Sequence, residues 1–283
     1  MMNTNGLLQS KSDANIDLEN RGYKYGDALF ETLKVVNGKI FFWEDHYFRL
    51  MASMRILRMD IPMNFTMEFL EEELLKTVEA NNLLKATVRV RLNIDRGEGG
   101  KYLPLEETNI NYNITVEAHH QPFYGNLPYE DYIVDLYKDF YMAPGFLSGL
   151  KSNNKTLQVI GSIYASENQL NNCLVLNTNK SVIEALNGNL FLVKGDVIKT
   201  PPLDDGCLKG VMRKQIIDLL KNNPNYKFEE TSISPFELQK ADELFITNVI
   251  VGIQSIGKYR KKTFANNVAV DLIKLLNAKL RLT

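Results

Sequence analysis

The sequence predicts an α+β protein of two domains, and three observations support this prediction. The chain has 283 residues, which is about twice the ~150 residues of a typical domain. Hydrophobic residues make up 45% and charged residues 24% of it, as in folded globular proteins. Strand and helix patterns occur in both halves, and a stretch between them breaks the periodicity. We therefore expect a small N-terminal α/β domain at 1–118, a linker at 119–126 and a larger C-terminal domain at 127–283.

The first domain is predicted to consist of hairpins and two helices. Asn37-Gly38 separates two apolar runs and is a strong signal for a tight hairpin turn. Asp45 is expected to cap a helix whose apolar residues recur at helical spacing and which Pro62 ends. A second helix is expected at 67–79. Alternating apolar and polar residues then predict strands at 87–94 and 110–116.

The second domain is predicted to contain many short strands around a barrel-like sheet. The expected strands cover 133–137, 173–176, 181–185, 190–193, 197–199 and 242–248. Helices are expected after Lys151, at 210–220, at the proline-led start Ser234-Pro235-Phe236-Glu237, and at the C-terminal end over 268–279.

Composition and charge exclude several classes of protein. The 33 Lys and Arg nearly balance the 34 Asp and Glu, leaving −1, so the broad basic surface of a nucleic-acid-binding domain is absent. No window approaches the ~18 apolar residues of a membrane span, and the first residues lack the pattern of a secretory signal. Cys173 and Cys207 are the only cysteines and have no metal-ligand spacing. We expect a cytoplasmic protein without metal, membrane or nucleic-acid partners.

Lys151 is the first candidate for chemistry. It precedes the predicted helix, where the positive end of the helix dipole would lower the pKa of an amine. A lysine so activated could form a Schiff base. The alternative is an ordinary solvated lysine, which is the commoner case.

Three further residues could bind a cofactor. Glu184 lies inside a strand–turn–strand run, where it is either a surface residue or a buried carboxylate that faces a protonated ring nitrogen. Gly210 opens a helix whose free N–H groups could bind an anion. Arg49 could donate to the same phosphate with two N–H groups.

Two other patterns do not indicate a site. The glycine-rich 96–101 lacks the GxxxxGK[ST] pattern of a nucleotide-binding loop. His119-His120 and His46 have no nearby cluster of further ligands and are not expected to bind a metal.

Six ordered motifs, spanning about 21–256, together resemble one family. They are 21–32 (RGYKYGDALFET), 44–50 (EDHYFRL), 150–154 (LKSNN), Glu184 with 189–191 (NLF), 200–202 (TPP) with 208–213 (LKGVMR), and 245–248 (FITN). In this order they resemble the class IV aminotransferases, the fold-type IV pyridoxal-phosphate enzymes. The family includes branched-chain and D-amino-acid transaminases and aminodeoxychorismate lyase.

The resemblance implies a D-amino-acid aminotransferase-like fold, a homodimer and bound pyridoxal 5'-phosphate. It implies that Lys151 forms the Schiff base and moves protons, and that Glu184 pairs with the pyridine nitrogen. The remaining implied cofactor contacts are Arg49, Val211 and Met212 at the phosphate, Leu208 against the ring, and Asn248 near the phosphate side.

Details of the motifs favour the lyase subtype. Thr32 stands where the branched-chain type has glycine, and the Arg-x-His carboxylate trap of the D-amino-acid type is absent. The stretch 96–102 is similar to the lyase pattern, with Lys101 in place of an arginine. The resemblance thus implies a catalytic role for Thr32 and substrate contacts for Phe30 and Lys101.

The expected activity is therefore elimination of pyruvate from aminodeoxychorismate to give 4-aminobenzoate. A transaminase acting on branched-chain or other small amino acids, with the same residues, is the alternative. A more remote alternative is a non-catalytic paralogue that binds small molecules.

Overall fold

The computed structural model describes residues 1–106 and 109–282. The chain divides into two compact units, one made of Met1–Pro122 with Lys151–Asn154, the other of Phe123–Leu150 with Lys155–Thr283. The first change of unit, after Pro122, falls inside the predicted linker at 119–126. The return of Lys151–Asn154 to the first unit was not predicted.

The first unit is built on a six-stranded antiparallel sheet with strand order β2-β1-β6-β5-β3-β4. Its strands are β1 (Met2–Thr4), β2 (Leu7–Gln9), β3 (Ala28–Val36), β4 (Lys39–Ile40), β5 (Thr87–Asp95) and β6 (Asn111–His119). Its helices are α1 (Arg21–Tyr25), α2 (Trp43–Ile56) and α3 (Met67–Ala80). The hairpin at Asn37-Gly38 and α3 are as predicted, and a helix follows the hairpin as expected.

The boundaries of α2 differ from the prediction. The helix begins at Trp43, its cap residue is Phe42, and Asp45 lies inside the first turn, so the expectation that Asp45 caps the helix is wrong. A carboxylate in the first turn still interacts favourably with the helix dipole. The helix ends at Ile56, well before Pro62, and Arg58 then adopts a left-handed φ of 54°.

The segment Lys151–Asn154 belongs to the first unit because it is hydrogen-bonded to β3. Ser152 forms an antiparallel bridge with Leu29. The Phe30 N–H donates to the Lys151 carbonyl, and the Asn153 N–H donates to the Ala28 carbonyl, each at 2.9 Å. Lys151 is therefore fixed to the strand that carries Phe30.

The second unit is a mixed ten-stranded sheet with helices. Its strands are β7 (Ile133–Met142), β8 (Asn172–Asn177), β9 (Val182–Ala185), β10 (Gly188–Lys194), β11 (Val197–Thr200), β12 (Lys227–Glu230), β13 (Glu243–Asn248), β14 (Gly252–Ile256), β15 (Lys258–Tyr259) and β16 (Lys262–Thr263). Its helices are α4 (Thr156–Glu167), α5 (Val211–Lys221), α6 (Pro235–Leu238) and α7 (Asn267–Leu282). The predicted α+β class with large sheets is confirmed, and the capping box at Ser234 and Glu237 is present.

One face of this second sheet is apolar and the other carries polar side chains. Leu190 and Leu192 on β10 and Leu244 and Ile246 on β13 belong to one buried apolar cluster. Because side chains alternate along a strand, the residues between them point to the opposite face. Two phenylalanine rings stack on that opposite face, with centroids 5.1 Å apart.

A polar row lies on the same face as the stacked rings. Glu184 on β9 is opposite Asn189 on β10, and Asn189 is opposite Thr247 on β13. All three are at least nine-tenths buried. The register therefore places a carboxylate, an amide and a hydroxyl side by side across three strands.

No helix of the described residues is both long enough and apolar enough to cross a membrane.

Candidate active site

Lys151 lies beside a second cation on one aromatic ring. Its Nζ is 4.4 Å from the centroid of the Phe30 ring, and the guanidinium carbon of Arg91 is 3.8 Å from the same centroid. Both distances are within the range of cation–π contacts. An amine and a guanidinium therefore meet at one place in the first unit.

The helix after Lys151 begins later than predicted. Lys155 caps α4, whose first residue is Thr156, so Lys151 lies outside the first turn. The dipole effect falls off within that turn, and the expectation that it acts on Lys151 is wrong. The chemical setting of Lys151 is set by β3 and β5 instead.

Thr32 shares the face of β3 that carries Phe30, because the two residues are two positions apart. Thr32 is directly opposite Arg91 on β5, and Phe30 is opposite Asn93. The half-buried residue Thr32 is thus a cross-strand neighbour of the guanidinium.

Arg91 is a candidate that the sequence analysis missed. Burial, together with the charge of Arg89, lowers its pKa. It donates to Asn153 at 3.3 Å and to Asn93 at 3.4 Å, which are long distances for such bonds. A guanidinium has five donors in a fork that matches a carboxylate. The alternation of Arg89, Arg91 and Asn93 on the polar face of β5 was the available signal.

Arg49 lies on α2 within a buried group. Its Nε donates to Glu31 Oε1 at 2.8 Å, and its Nη2 donates to Glu31 Oε2. Glu31 Oε2 also forms a hydrogen bond of 2.7 Å with His46 Nδ1. The side chains of Glu31 and His46 are almost completely buried, and that of Arg49 is 9% exposed.

The protonation states of this group follow from its contacts. Burial raises the pKa of Glu31, but the charge of Arg49 and the hydrogen bond with His46 outweigh burial and hold the pKa at about 2. Burial lowers the pKa of His46. A neutral imidazole that donates from Nδ1 to an ionised Glu31 fits both directions. His46 Nε2 then has no hydrogen-bond partner among the described residues.

In the second unit, Glu184 and Asn189 hold the backbone of Leu208. Glu184 Oε2 accepts from the Leu208 N–H at 2.8 Å, and the Asn189 side chain donates to the Leu208 carbonyl at 2.8 Å. The sequence analysis assigned Glu184 and Leu208 but missed Asn189, whose role depends on cross-strand register.

Gly210 closes this arrangement tightly. A Cβ at Gly210 would lie only 2.0 Å from Asn189 Oδ1, so any larger residue here would displace the Asn189 side chain. Gly210 is also the N-cap of α5 and provides no side-chain cap, and the first turn has no acidic residue. The N–H groups at Val211 and Met212 and the dipole of α5 therefore favour an anion.

The remaining predicted residues have different settings. Asn248 Oδ1 accepts from the N–H groups of Ile250 and Val251 at 3.0 Å, and its amide donates to the Asn187 carbonyl at 3.1 Å. These bonds stabilise the turn between β13 and β14. Lys101 is exposed, and its role as a substrate contact stays a prediction.

Arg21 organises the loop that contains Lys101. Its buried guanidinium donates to the carbonyls of Gly99 at 2.9 Å, Lys101 at 2.5 Å and Tyr102 at 3.2 Å. Asp27 balances its charge at 3.0 Å. The backbone of this loop is thus fixed while the Lys101 side chain stays exposed.

Thr247 is another residue that the sequence analysis missed. Its Oγ1 is buried and has no hydrogen-bond partner among the described residues, and it lies in one row with Glu184 and Asn189. Among the described residues, no group of three or more His, Cys, Asp or Glu could hold a metal ion.

The first unit thus brings a lysine and an arginine to one ring, and the second unit holds a buried carboxylate and a helix N-terminus suited to an anion. The family model "Amino-transferase class IV" matches residues 28–259. The chain belongs to the class IV aminotransferase family.

Individual relatives come from several branches of this family. The chain is 28% identical over 279 residues to a putative branched-chain-amino-acid aminotransferase of Methanocaldococcus jannaschii, covering 98% of this chain and 94% of that protein. Its fold is similar to 4-amino-4-deoxychorismate lyase from Pseudomonas aeruginosa, with TM-score 0.81, 26% identity, and 99% and 98% of the two chains covered. It is also similar to a T.th. branched-chain amino acid aminotransferase with pyridoxamine 5'-phosphate, with TM-score 0.85, 20% identity, and 97% and 92% covered.

The Glu31 carboxylate should make stability fall in acid. Its folded-state pKa of about 2 lies below the ordinary value of 4.5, so its contribution is present above about pH 4.5 and lost as the pH falls toward about 2. That contribution is on the order of 3 kcal/mol. Urea unfolding from about pH 7 to about pH 3 should show the gap between wild type and Glu31→Gln shrinking in acid. Glu117→Gln, at an exposed carboxylate on the same sheet, is the control. A gap that does not change with pH would contradict this origin.

Proposed function

We propose that this protein is a pyridoxal 5'-phosphate enzyme that eliminates pyruvate from 4-amino-4-deoxychorismate to give 4-aminobenzoate. The observation that carries the proposal is the meeting of the Lys151 amine and the Arg91 guanidinium at the Phe30 ring. The Lys151 amine can move a proton, and the Arg91 guanidinium can bind a carboxylate. A substrate that carries both an amino group and carboxylates would use both residues.

The residues fit pyridoxal phosphate. Lys151 supplies an amine for the aldehyde, and Glu184 supplies a buried carboxylate for the ring nitrogen. For the phosphate, the second unit offers the N–H donors at the N-terminus of α5, and the first unit by itself offers the guanidinium of Arg49. The buried hydroxyl of Thr247, which has no hydrogen-bond partner among the described residues, is consistent with a bound polar group. When bound, the cofactor supplies an electron sink next to the reacting carbon.

The protein's own residues then have distinct tasks. Lys151 takes the proton from the carbon that bears the amino group. Arg91 binds a substrate carboxylate and fixes that carbon relative to the amine. The Thr32 hydroxyl, opposite Arg91 on the neighbouring strand, passes the proton that Lys151 has taken to the enolpyruvyl oxygen as the C–O bond to the ring breaks, so that pyruvate leaves as its enol. The Phe30 ring contacts both cations and forms one wall of the site.

Transamination of a small amino acid is the second candidate. Lys101, one feature that favoured the lyase, is exposed, and the implied cofactor contact Asn248 is engaged in a turn. Arg91 and Lys151 also suit an amino acid with one carboxylate, and the Methanocaldococcus jannaschii relative carries an aminotransferase name. The two reactions differ in their need for a 2-oxo acid.

Lys151→Ala should abolish the reaction. Purified wild-type protein with pyridoxal phosphate should show a visible absorbance band that Lys151→Ala lacks, because the variant has no amine for the aldehyde. Wild type should release pyruvate from aminodeoxychorismate without any amino acceptor. Turnover only with a 2-oxo acid would select the transaminase instead. A protein with neither reaction, or with an unchanged band in Lys151→Ala, would support a non-catalytic binding protein.

Arg91→Gln should weaken substrate binding more than turnover. Loss of a guanidinium–carboxylate pair in a half-buried site costs about 2–3 kcal/mol, so KM should rise about 30-fold or more while kcat changes less. Steady-state kinetics of the loaded enzyme measure both constants. Arg89→Gln is the matched control, since Arg89 is on the same strand and pairs with the exposed Glu117. Equal effects of the two variants would contradict a specific role for Arg91.

We propose that the protein forms a homodimer through α4. Val159, Ile160 and Ile163 on this helix are 57%, 49% and 53% exposed, and they form one apolar face because they are spaced i, i+1 and i+4. Exposed apolar patches mark contact surfaces. A second copy of the chain fits the expectation from the family.

Ile163→Glu should dissociate this dimer. A charge at the centre of an apolar interface loses its hydration without a partner. Light scattering after size exclusion should give a dimer for wild type and a monomer for Ile163→Glu. Ser162→Glu, which adds the same charge at the neighbouring exposed position, should stay dimeric. A monomeric wild type, or a dimeric Ile163→Glu, would rule out this interface.

A further inference from the structure

Three buried side chains form one hydrogen-bonded group in the first unit. Glu31 accepts from Nε of Arg49 at 2.8 Å and from its Nη2, and it is bonded to His46 Nδ1 at 2.7 Å. His46 and Arg49 are three residues apart on α2, so they lie on the same face of the helix. Glu31 faces them from β3.

Ionised Glu31 contributes to folding stability through Arg49, but stability does not explain the choice of His46 beside it. His46 Nε2 is buried without a partner among the described residues, and such an atom costs about 1–3 kcal/mol. A buried ion pair is often no more stable than apolar side chains of the same volume. A buried histidine with one nitrogen left without a partner among the described residues therefore indicates a role beyond stability.

The geometry fixes the orientation of Arg49. Two bonds to one carboxylate set both the position and the plane of a guanidinium. The carboxylate itself is fixed by its third bond, from His46, and by β3, which is hydrogen-bonded to β5 along its whole length. The directions of the other N–H donors of Arg49 are therefore set before any ligand arrives.

The group also lies close to the proposed chemistry. The charge of Lys151 is among the influences that lower the pKa of His46, after burial as the largest. Glu31 is adjacent to Phe30, whose ring contacts Lys151. A shift of Glu31 would therefore affect both the arginine and the strand that carries the lysine's contact.

We propose that Glu31 and His46 are positioning residues that hold Arg49 in the orientation in which it binds the cofactor's phosphate. This proposal rests on the proposed function. It predicts a change in phosphate affinity on neutralisation of Glu31 that is opposite in sign to the change expected from charge alone. If Glu31 only reduced the charge of Arg49, its neutralisation would strengthen anion binding. If Glu31 positions Arg49, its neutralisation weakens phosphate binding.

The test compares pyridoxal phosphate with pyridoxal, which lacks the phosphate. Dissociation constants for both are measured by equilibrium dialysis with wild type and Glu31→Gln. We expect the constant for pyridoxal phosphate to rise about tenfold or more, because charge-assisted hydrogen bonds contribute about 1.5–3 kcal/mol. The constant for pyridoxal should change less than about twofold, because it has no phosphate for Arg49 to bind. Tighter or unchanged binding of pyridoxal phosphate, or equal weakening of both compounds, would overturn the proposal.

His46 provides a second test that keeps the ion pair. His46→Asn retains an N–H near the position of Nδ1 and should bind pyridoxal phosphate within about twofold of wild type. His46→Leu removes the bond to Glu31 and should weaken that binding about threefold to tenfold. Equal affinities of His46→Asn and His46→Leu would exclude the positioning role of His46. These variants decide the question even where Glu31→Gln fails to fold.

A double-mutant cycle separates action through Arg49 from independent action. In an Arg49→Met background, Glu31→Gln should change the affinity for pyridoxal phosphate by less than about twofold, because the residue it positions is gone. A full loss of about tenfold in that background would contradict the proposal. Wild type that binds neither compound refutes the proposed function, and this inference with it. Wild type that binds only pyridoxal phosphate, with unaffected variants, refutes this inference alone.

Discussion

The pairing of Lys151–Asn154 with the start of β3 is the constraint on which the catalytic proposal depends. These residues come from a part of the chain whose flanks belong to the second unit. Two backbone hydrogen bonds of 2.9 Å and the bridge between Leu29 and Ser152 attach them to the first. Backbone bonds fix the path of the chain without using side chains. The position of Lys151 is therefore set by its main chain, and its side chain is not needed to hold the segment in place.

Successive residues of β3 point to opposite faces of the sheet and serve two different purposes. Phe30 and Thr32 point to the face where Lys151 and Arg91 lie, and Glu31, between them, points to the face covered by α2. Since alternate residues of a strand point to opposite faces, three consecutive residues serve a substrate face and a supporting face. A slip of one residue in β3 would exchange the two faces and destroy both. The nine paired residues of β3 and β5 oppose such a slip.

Local signals in the sequence predicted the elements well, and long-range contacts account for what was missed. The Asn37-Gly38 turn and the proline-led start at Ser234 are decided by neighbouring residues, and both occur in the structure. Arg91 could be placed on the polar face of its strand, but its contact with Phe30 depends on the register between β3 and β5, which no short pattern specifies. The ordered motifs identified Lys151 as a candidate. The argument from the helix dipole failed, because sequence patterns place helix ends only to within a few residues and the dipole acts over only one turn.

The two units supply different kinds of groups, and this difference bears on what determines specificity under the proposed function. The second unit holds its groups through clamped backbone, as at Leu208 and the start of α5. Backbone groups persist when side chains change. The first unit presents side chains, Phe30, Thr32 and Arg91, on one strand face. Replacing any of them changes the shape or charge met by a substrate without moving the main chain. On the proposed function, specificity for one amino compound over another is therefore determined mainly by Phe30 and Arg91 on β3 and β5, and proton transfer by Lys151, whose backbone is hydrogen-bonded to β3.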